Sequence, residues 1–223
     1  MTPRRSSRLL PAVCLTLGAA ALVGIPGCEL FGVIAANEER YGSHVVPAAY
    51  PGLQGKSYAI VVQADRDMLA ENPNLMEHLL ANLNNRLAET SGASGHVPTH
   101  DLVLYLMNNT RWPAMSNADL AAALGNVDRL VVLDLSDYRL TEPQNVYTWD
   151  GVAQGRVLVF ESDGEGGGQT VFEKDLRVSY PDEVGITPAE QTREVVTSVL
   201  AQRLIDRVSW LFYEHEEPNT MTY

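Results

Sequence analysis

Hydrophobic and polar positions recur with two periods between residues 56 and 217, and these periods predict alternating strands and helices. Tyr58 to Gln63 is a short apolar run rich in β-branched residues, which is typical of a buried strand. The segment from Asp65 to Asn74 reads as a polar connection. Leucines then recur at helical spacing, so Asn74 to Glu89 is predicted to be an amphipathic helix packed on the sheet.

The middle of the chain contains one ambiguous element and one short helix. Asp101 to Met107 fits either a strand or the start of a second helix, because periodicity does not separate these structures in so short a run. Ser116 and Asp119 have the spacing of a capping box, which predicts a helix over Asn117 to Leu124 that Gly125 ends.

Three strands are predicted in the second half. Leu130 to Leu140 begins with a nearly continuous apolar run, which is typical of a central strand covered on both faces. Gly151 to Glu161 and Thr170 to Tyr180 flank the loop Ser162 to Gln169, so they are predicted to form a hairpin. Apolar and polar residues alternate in its second arm, so one face should point to the core and the other to water.

The last predicted element is a long helix. Thr187-Pro188-Ala189-Glu190 combines an N-cap threonine, a proline at the first helical position and a capping-box glutamate, and an apolar stripe continues to about Tyr213. The elements together predict an α/β fold class. We expect a single mixed sheet of about four to five strands with helices packed on it, ending in an antiparallel hairpin and this helix.

The start of the chain resembles a bacterial lipoprotein signal. An apolar run from Leu9 to Val23 follows three arginines, and Gly27 stands directly before Cys28, as lipoprotein signal peptidase requires. We therefore expect cleavage before Cys28 and acylation of that cysteine, with palmitate among the acyl chains, so that the membrane is the first partner. The arginines are Arg4, Arg5 and Arg8.

Two alternatives compete with lipidation. Leu9 to Gly27 is close to the length of a membrane helix, and an ordinary signal could be cut at another small residue. Prolines and glycines within the run weaken the first alternative, whereas Pro26 stands where lipoproteins more often carry Ala, Ser or Thr. Glu29 follows the cysteine in place of the aspartate of an inner-membrane retention signal, which favours the outer membrane and a domain facing the periplasm.

The predicted plan has four parts. Residues 1–27 are the signal peptide, 28–55 the lipidated N-terminus and tether, 56–217 the periplasmic α/β domain and 218–223 a disordered tail. The choice between the inner and outer membrane, the oligomeric state and the identity of any partner are open at this point.

Charge and cysteine content exclude several classes of function. The chain has 16 basic and 28 acidic residues, and loss of residues 1–27 removes three basic and no acidic ones, so the formal net charge falls from −12 to −15. Such a charge argues against nucleic acid as a partner. Cys14 and Cys28 are the only cysteines, so the mature domain can hold no internal disulfide, thiolate zinc site or cysteine nucleophile.

Two segments have the composition of ligand sites. Gly164 to Gly168 is glycine-rich, but no Lys-Ser/Thr follows and strands flank it, so we predict a hairpin tip. His96 and His100 have a zinc-like spacing with Asp101 beside them, although they flank Pro98 and lack a third ligand. These three residues define the alternative function, a periplasmic hydrolase or a metal-dependent enzyme.

A third group is acidic. Asp128, Asp134 and Asp137 surround the central strand, and strand alternation predicts that Asp134 and Asp137 point to opposite faces. No serine lies in a Gly-x-Ser-x-Gly elbow. We therefore predict a protein that is not an enzyme, with no catalytic residue, no metal and no cofactor.

Aromatic residues in loops are the best candidates for contacts. Trp112, Tyr147 and Trp149 fall in loop-like stretches, where exposed aromatic rings often anchor protein interfaces, so we predict that they bind an envelope protein partner. The alternative is that each ring folds back on the core. Trp210, inside the last helix, is predicted to be a core residue.

The order of elements also supports a resemblance. The stretch Leu124-Gly125-Asn126-Val127-Asp128-Arg129-Leu130-Val131-Val132, and the hairpin to Tyr180 followed by the helix at Thr187, resemble a small periplasmic α/β domain of bacterial envelope lipoproteins. That domain is shared by the curli-secretion lipoprotein, the lipoprotein activator of penicillin-binding proteins and the amino-terminal domain of the Tol-system propeller protein. The resemblance implies an envelope assembly or regulatory module that works by binding another protein.

Overall fold

A computed structural model describes residues 42–219 and confirms the predicted α/β fold class. Seven strands are present in this part of the chain, five in one mixed sheet and two in a separate ribbon. The strands are β1 (Ser43–Val46), β2 (Ser57–Ala64), β3 (Gly95–His96), β4 (Arg129–Arg139), β5 (Gly151–Ser162), β6 (Gly168–Tyr180) and β7 (His215–Pro218). The helices are α1 (Arg66–Glu71), α2 (Leu75–Thr90), α3 (Thr99–Asn108), α4 (Asn117–Ala123) and α5 (Arg193–Ser209), with a 3-10 turn at Trp112–Ala114.

The directions of the strands determine at which end of the sheet each connection lies. The order is β3-β2-β4-β5-β6, in which β2 is parallel to β3 and β4, whereas β5 is antiparallel to both β4 and β6. Strands β2, β4 and β6 therefore run in the same direction. We call the end that holds the connections 65–74, 140–150 and 181–192 the carboxyl end, and the end that holds 47–56, 124–128 and 163–167 the amino end.

The core lies on both sides of the two central strands. Consecutive residues from Tyr58 to Val62 and from Leu130 to Leu133 are buried, so both faces of β2 and β4 are covered, as predicted for the second of them. Helices α2 and α5 pack on one face. The Tyr58 hydroxyl donates to the carbonyl oxygen of Asn84 in α2 (3.1 Å), and the Tyr138 hydroxyl donates to that of Thr197 in α5 (3.3 Å).

The hairpin of β5 and β6 is covered on one face and open on the other, as its alternation predicts. Leu176 and Val178 are buried, whereas Glu173, Asp175 and Arg177 are exposed. On the open face Arg156 forms ion pairs with Glu173 (2.6 Å) and with Asp175 of the same strand (2.8 Å). The open face is therefore a solvated, charge-paired surface.

The folded part begins before residue 56, within the segment predicted to be a tether. Strand β1 pairs antiparallel with β7, and Ser43 lies opposite Pro218. Leu53 is fully buried, and the Tyr50 backbone N–H donates to the carbonyl oxygen of Leu211 (2.7 Å). Pro218, the first residue of the predicted tail, is the last residue of β7. Local periodicity could not indicate this pairing because the two segments are distant in sequence and only four residues long each.

The structure resolves one ambiguous segment and corrects two predicted ones. Asp101 to Met107 lies within α3, so it is helical, and the polar connection from Asp65 to Asn74 contains the short helix α1. The last helix begins at Arg193, six residues after Thr187. The expected Thr187–Glu190 hydrogen bonds are present (2.8 and 2.9 Å), but Thr192 provides the N-cap, and its side chain accepts from the Val195 N–H.

The end of the last helix also differs from the prediction. Helix α5 stops at Ser209, and Trp210 is its C-cap. The Trp210 ring is half-buried and stacks on His215 of β7, with ring centroids 4.6 Å apart. The His215 ring in turn lies 3.0 Å from a carboxylate oxygen of Glu217. Trp210 thus joins the ribbon to the helix and is not a residue of the central core.

Candidate partner-binding surface

Trp149 joins two loops at the carboxyl end. Its side chain is only 9% exposed, and its indole N–H donates to the carbonyl oxygen of Gln191 (2.8 Å). Its backbone N–H donates to the carbonyl oxygen of Ile186 (2.8 Å). In a helix that continued from Thr187, the Gln191 carbonyl would accept from the Val195 N–H. Here the Gln191 carbonyl accepts from the indole, and the Val195 N–H donates to the side chain of the N-cap residue Thr192.

The loop from Leu140 to Asp150 has a defined internal structure. The Asp150 N–H donates to the carbonyl oxygen of Leu140 (3.0 Å) and closes the loop. Within it, the Asn145 side chain donates to the Thr148 hydroxyl (2.9 Å) and accepts from the Tyr147 N–H (3.0 Å). An asparagine that bonds both ways in this manner fixes a turn. These hydrogen bonds shape the part of the loop that leads to its tip.

Three large apolar residues are exposed on the two loops that Trp149 joins. Val146 and Tyr147 are 72% and 77% exposed at the tip of the first loop, and Val184 is fully exposed on the second. The second loop is braced by a bidentate ion pair between Asp182 and Arg203 of α5 (2.6 and 2.7 Å). We call Val146, Tyr147 and Val184 the apolar tip. Exposed apolar residues on loops that hydrogen bonds and ion pairs hold in place are a common mark of an interaction site.

Two cavities open near the same end. One, of about 690 Å³, lies between α1 and the last residues of β4, from Ser136 to Arg139. Strands β3 and β4 lie on opposite sides of β2, so this cavity occupies the crevice where open α/β sheets most often bind ligands. The other, of about 430 Å³, separates the N-terminal turns of α2 and α5.

The predicted contact residues separate into two groups. Tyr147 is exposed, but Trp149 is buried and Trp112 is only 7% exposed, so the alternative that these rings fold back on the core describes both tryptophans. Trp112 instead lines a cavity of about 410 Å³ together with Met76 and Met107. Partner binding by Tyr147 stays a prediction. Sequence reasoning missed Val146 and Val184, whose only signal was an apolar residue within a polar loop.

The histidine alternative gains no support from the geometry. His96, His100 and Asp101 are exposed; the first stacks on Tyr58 (5.8 Å between ring centroids), and the other two lie in the first turn of α3. Among residues 42–219, no three histidine, cysteine, aspartate or glutamate side chains lie close enough to hold a metal ion.

The glycine-rich segment is the hairpin tip, as predicted. The Asp163 carboxylate accepts from the backbone N–H groups of Glu165 (2.8 Å) and Gly167 (2.9 Å). These hydrogen bonds hold the pKa of the Asp163 carboxyl below its ordinary value. A phosphate would need the same N–H groups, so the loop already contains its own anion.

The prediction that Asp134 and Asp137 face opposite sides of the sheet is wrong. Asp134 pairs with Arg156 of β5, whereas Asp137 pairs with Gln154, because Ser136 is an extra residue at a β-bulge. Residues two apart in β5 share a face, so both aspartates point to the same side. The bulge reverses the alternation on which the prediction rested.

The three aspartates still do not form one acidic site. Asp137 is ion-paired with Arg139 in the same strand. Asp128 lies at the amino end, where its carboxylate accepts from the backbone N–H (2.9 Å) and the hydroxyl (2.8 Å) of Ser57. Asp128 and Asp137 therefore have separate structural roles.

The predicted anchor lies outside the described residues. Leu9 to Val23 and Cys28 belong to that part of the chain. Between residues 42 and 219, no helix has both the length and the apolar character that a membrane crossing requires.

Comparison with known proteins gives low similarities. No protein-family model matches the chain, and no curated protein matches it. Among solved structures, the chain is similar to the PelC dodecamer from Paraburkholderia phytofirmans, with 12% identity over 78% of this chain and 99% of that one and a TM-score of 0.42.

Two further structures have similar values. Lipoprotein GNA1162 from Neisseria meningitidis is 11% identical over 69% of this chain and 96% of that one, with a TM-score of 0.42. Hypothetical protein CT253 from Chlamydia trachomatis is 15% identical over 70% and 98%, with a TM-score of 0.37. The resemblance to the curli and Tol-system domain family stays a prediction.

Proposed function

We propose that this protein is an outer-membrane lipoprotein facing the periplasm, whose α/β domain binds an envelope protein through the apolar tip in an assembly or regulatory role. The observation that carries the proposal is the exposure of Tyr147 beside Val146, on a loop that Trp149 fixes to its neighbour. A rigid exposed aromatic side chain loses little conformational entropy when it is buried at an interface. The function needs no catalytic residue, cofactor or metal.

Site-specific photo-crosslinking in the native cells tests the binding site. A photoreactive phenylalanine analogue replaces Tyr147 in one variant and Glu165, at the tip of the β5–β6 hairpin, in a matched control. We expect a discrete protein adduct from position 147 only, and expect Val146→Ser with Val184→Ser to reduce it. Equal adducts from both positions, or none from position 147, would overturn the proposal.

The lipid anchor needs its own test. Cells fed a clickable fatty acid should label the wild-type chain and Cys14→Ala, which keeps the proposed acceptor, but not Cys28→Ala. Label that persists in Cys28→Ala would contradict acylation at this residue. Sucrose-gradient separation of the two membranes then tests the outer-membrane assignment.

A further inference from the structure

The carboxyl end of the sheet is strongly acidic. Its three connections, 65–74, 140–150 and 181–192, contain eight acidic residues and a single basic one, Arg66. The amino-end connections, 47–56, 124–128 and 163–167, contain three acidic residues and one basic one, Lys56. Even with Arg139 and Arg193, which stand directly beside these connections, the loops at the end that carries the apolar tip have an excess of negative charge.

Two exposed acidic residues close to the apolar tip in sequence have no ion pair among the described residues. Glu142 and Glu183 are exposed, and neither forms an ion pair with any residue between 42 and 219. Asp182, by contrast, is paired with Arg203, and the Glu190 carboxylate accepts from the Thr187 N–H. Glu183 adjoins Val184, and Glu142 begins a turn that ends at Asn145, directly before Val146 and Tyr147.

We propose that the partner bound at the apolar tip is a polypeptide with a basic surface, in which lysine or arginine side chains surround an apolar pocket for Tyr147. This inference rests on the proposed function and specifies its ligand. Interfaces commonly bury an aromatic residue at the centre and place charges at the rim, where complementary potentials raise the association rate. Glu142 and Glu183 would form such a rim.

The same charges disfavour the other occupants of this surface. A second copy of the chain would bring two acidic ends together, and like charges across an interface oppose association. Anionic lipid headgroups and nucleic acid would be repelled for the same reason. A basic protein surface is the occupant that lowers the electrostatic energy of this end.

The chemistry of the crosslinked partner tests the inference. The adduct from position 147 is digested, and the partner peptide is sequenced by mass spectrometry. We expect a peptide rich in lysine and arginine. A neutral or acidic peptide would overturn the inference but leave the proposed function intact, whereas an adduct with a second copy of this chain would overturn both.

Charge-reversal variants measure how much the acidic rim contributes to binding. A synthetic peptide with the crosslinked sequence is titrated into the full chain, and Glu142→Lys with Glu183→Lys should weaken its binding about tenfold, as expected for rim charges. The matched control, Glu89→Lys with Glu165→Lys, makes the same charge change at the amino end and should alter binding less than about twofold. Equal effects of the two double variants, or binding insensitive to salt, would contradict a basic partner.

Discussion

The two ends of the sheet differ in how completely their side chains are satisfied. At the amino end, Asp128 accepts two hydrogen bonds from Ser57, and Arg129 donates to the Tyr50 hydroxyl (3.0 Å) while forming an ion pair with Glu161. At the carboxyl end the apolar tip is exposed, and Glu142 and Glu183 form no ion pair with any residue between 42 and 219. The contacts at the amino end stabilise the fold. The exposed apolar side chains and carboxylates at the carboxyl end can contact another molecule.

An aromatic cluster reinforces the amino end. The Tyr50 ring lies 5.4 Å from that of Phe172 and 6.2 Å from that of Phe212, measured between centroids. Tyr50 and Tyr147 are therefore opposites, one packed and hydrogen-bonded and the other presented to solvent. Residue type alone therefore does not assign a role, because the neighbours that a side chain contacts decide it.

The largest effect is expected at the one buried anchor of the carboxyl end. Trp149→Ala removes a buried ring and the indole hydrogen bond to the Gln191 carbonyl, and should lower the free energy of unfolding by about 3 to 5 kcal/mol. Urea denaturation measures this value. Trp149→Phe, which keeps a ring but loses the indole N–H, should cost less than half as much. Equal costs for the two variants would show that the ring contributes little.

A smaller effect is expected at the amino end. Asp128→Ala leaves the Ser57 N–H and hydroxyl without their acceptor, and should lower the free energy of unfolding by about 1 to 2 kcal/mol, since the site is partly exposed. The same denaturation experiment measures it. Glu89→Ala, an exposed change, is the control and should leave the midpoint nearly unchanged.

The pH dependence of stability should reveal the same carboxylate. The backbone N–H and then the hydroxyl of Ser57 hold the pKa of Asp128 below its ordinary value of 3.8. This contribution is fully present above the unfolded-state pKa, and it is lost as the pH falls below about 4 through the lower folded-state pKa. Denaturation between pH 5 and pH 2 should show a shallower decline for Asp128→Asn than for the wild type. An identical decline would show that Asp128 does not contribute to the loss of stability in acid.

The smallest effects are expected when the same group, a tyrosine hydroxyl, is removed at each end of the sheet. Tyr50→Phe removes the hydroxyl that accepts from the Arg129 Nε–H, and should cost about 1 kcal/mol. Tyr147→Phe removes a solvated hydroxyl and should change stability by less than about 0.5 kcal/mol. Thermal unfolding of the two variants side by side provides the test, and equal shifts would remove the contrast between the ends.

Much of the fold could be predicted because its patterns are local. The alternation in β6, the capping of α4 by Ser116 and the leucine spacing of α2 each depend on residues within one or two turns, and the structure contains all three elements. The helix at residues 101–107 could not be assigned, because so short a run of mostly apolar residues fits either period.

The candidate surface was less predictable because it depends on contacts between distant segments. Trp149 looked like an exposed loop residue, and only the acceptor at Gln191, 42 positions later, explains its burial. The extra residue at Ser136 reversed the predicted faces of two aspartates without any signal in the residue types. Tyr147 was identified from the sequence, but only the structure shows that it is exposed whereas Trp112 and Trp149 are buried.

The ribbon of β1 and β7 makes the domain nearly a closed ring. Ser43 and Glu216 are 173 positions apart, yet the serine hydroxyl donates to the glutamate carboxylate (3.3 Å). Closing a loop of that length costs about 4 to 5 kcal/mol of chain entropy, which four-residue strands recover only after the sheet and α5 are in place. We therefore expect the ribbon to form last during folding and to exchange its amide hydrogens first. A permuted chain that joins residue 218 to residue 43 and opens at the Asp163–Gly167 tip should keep the fold.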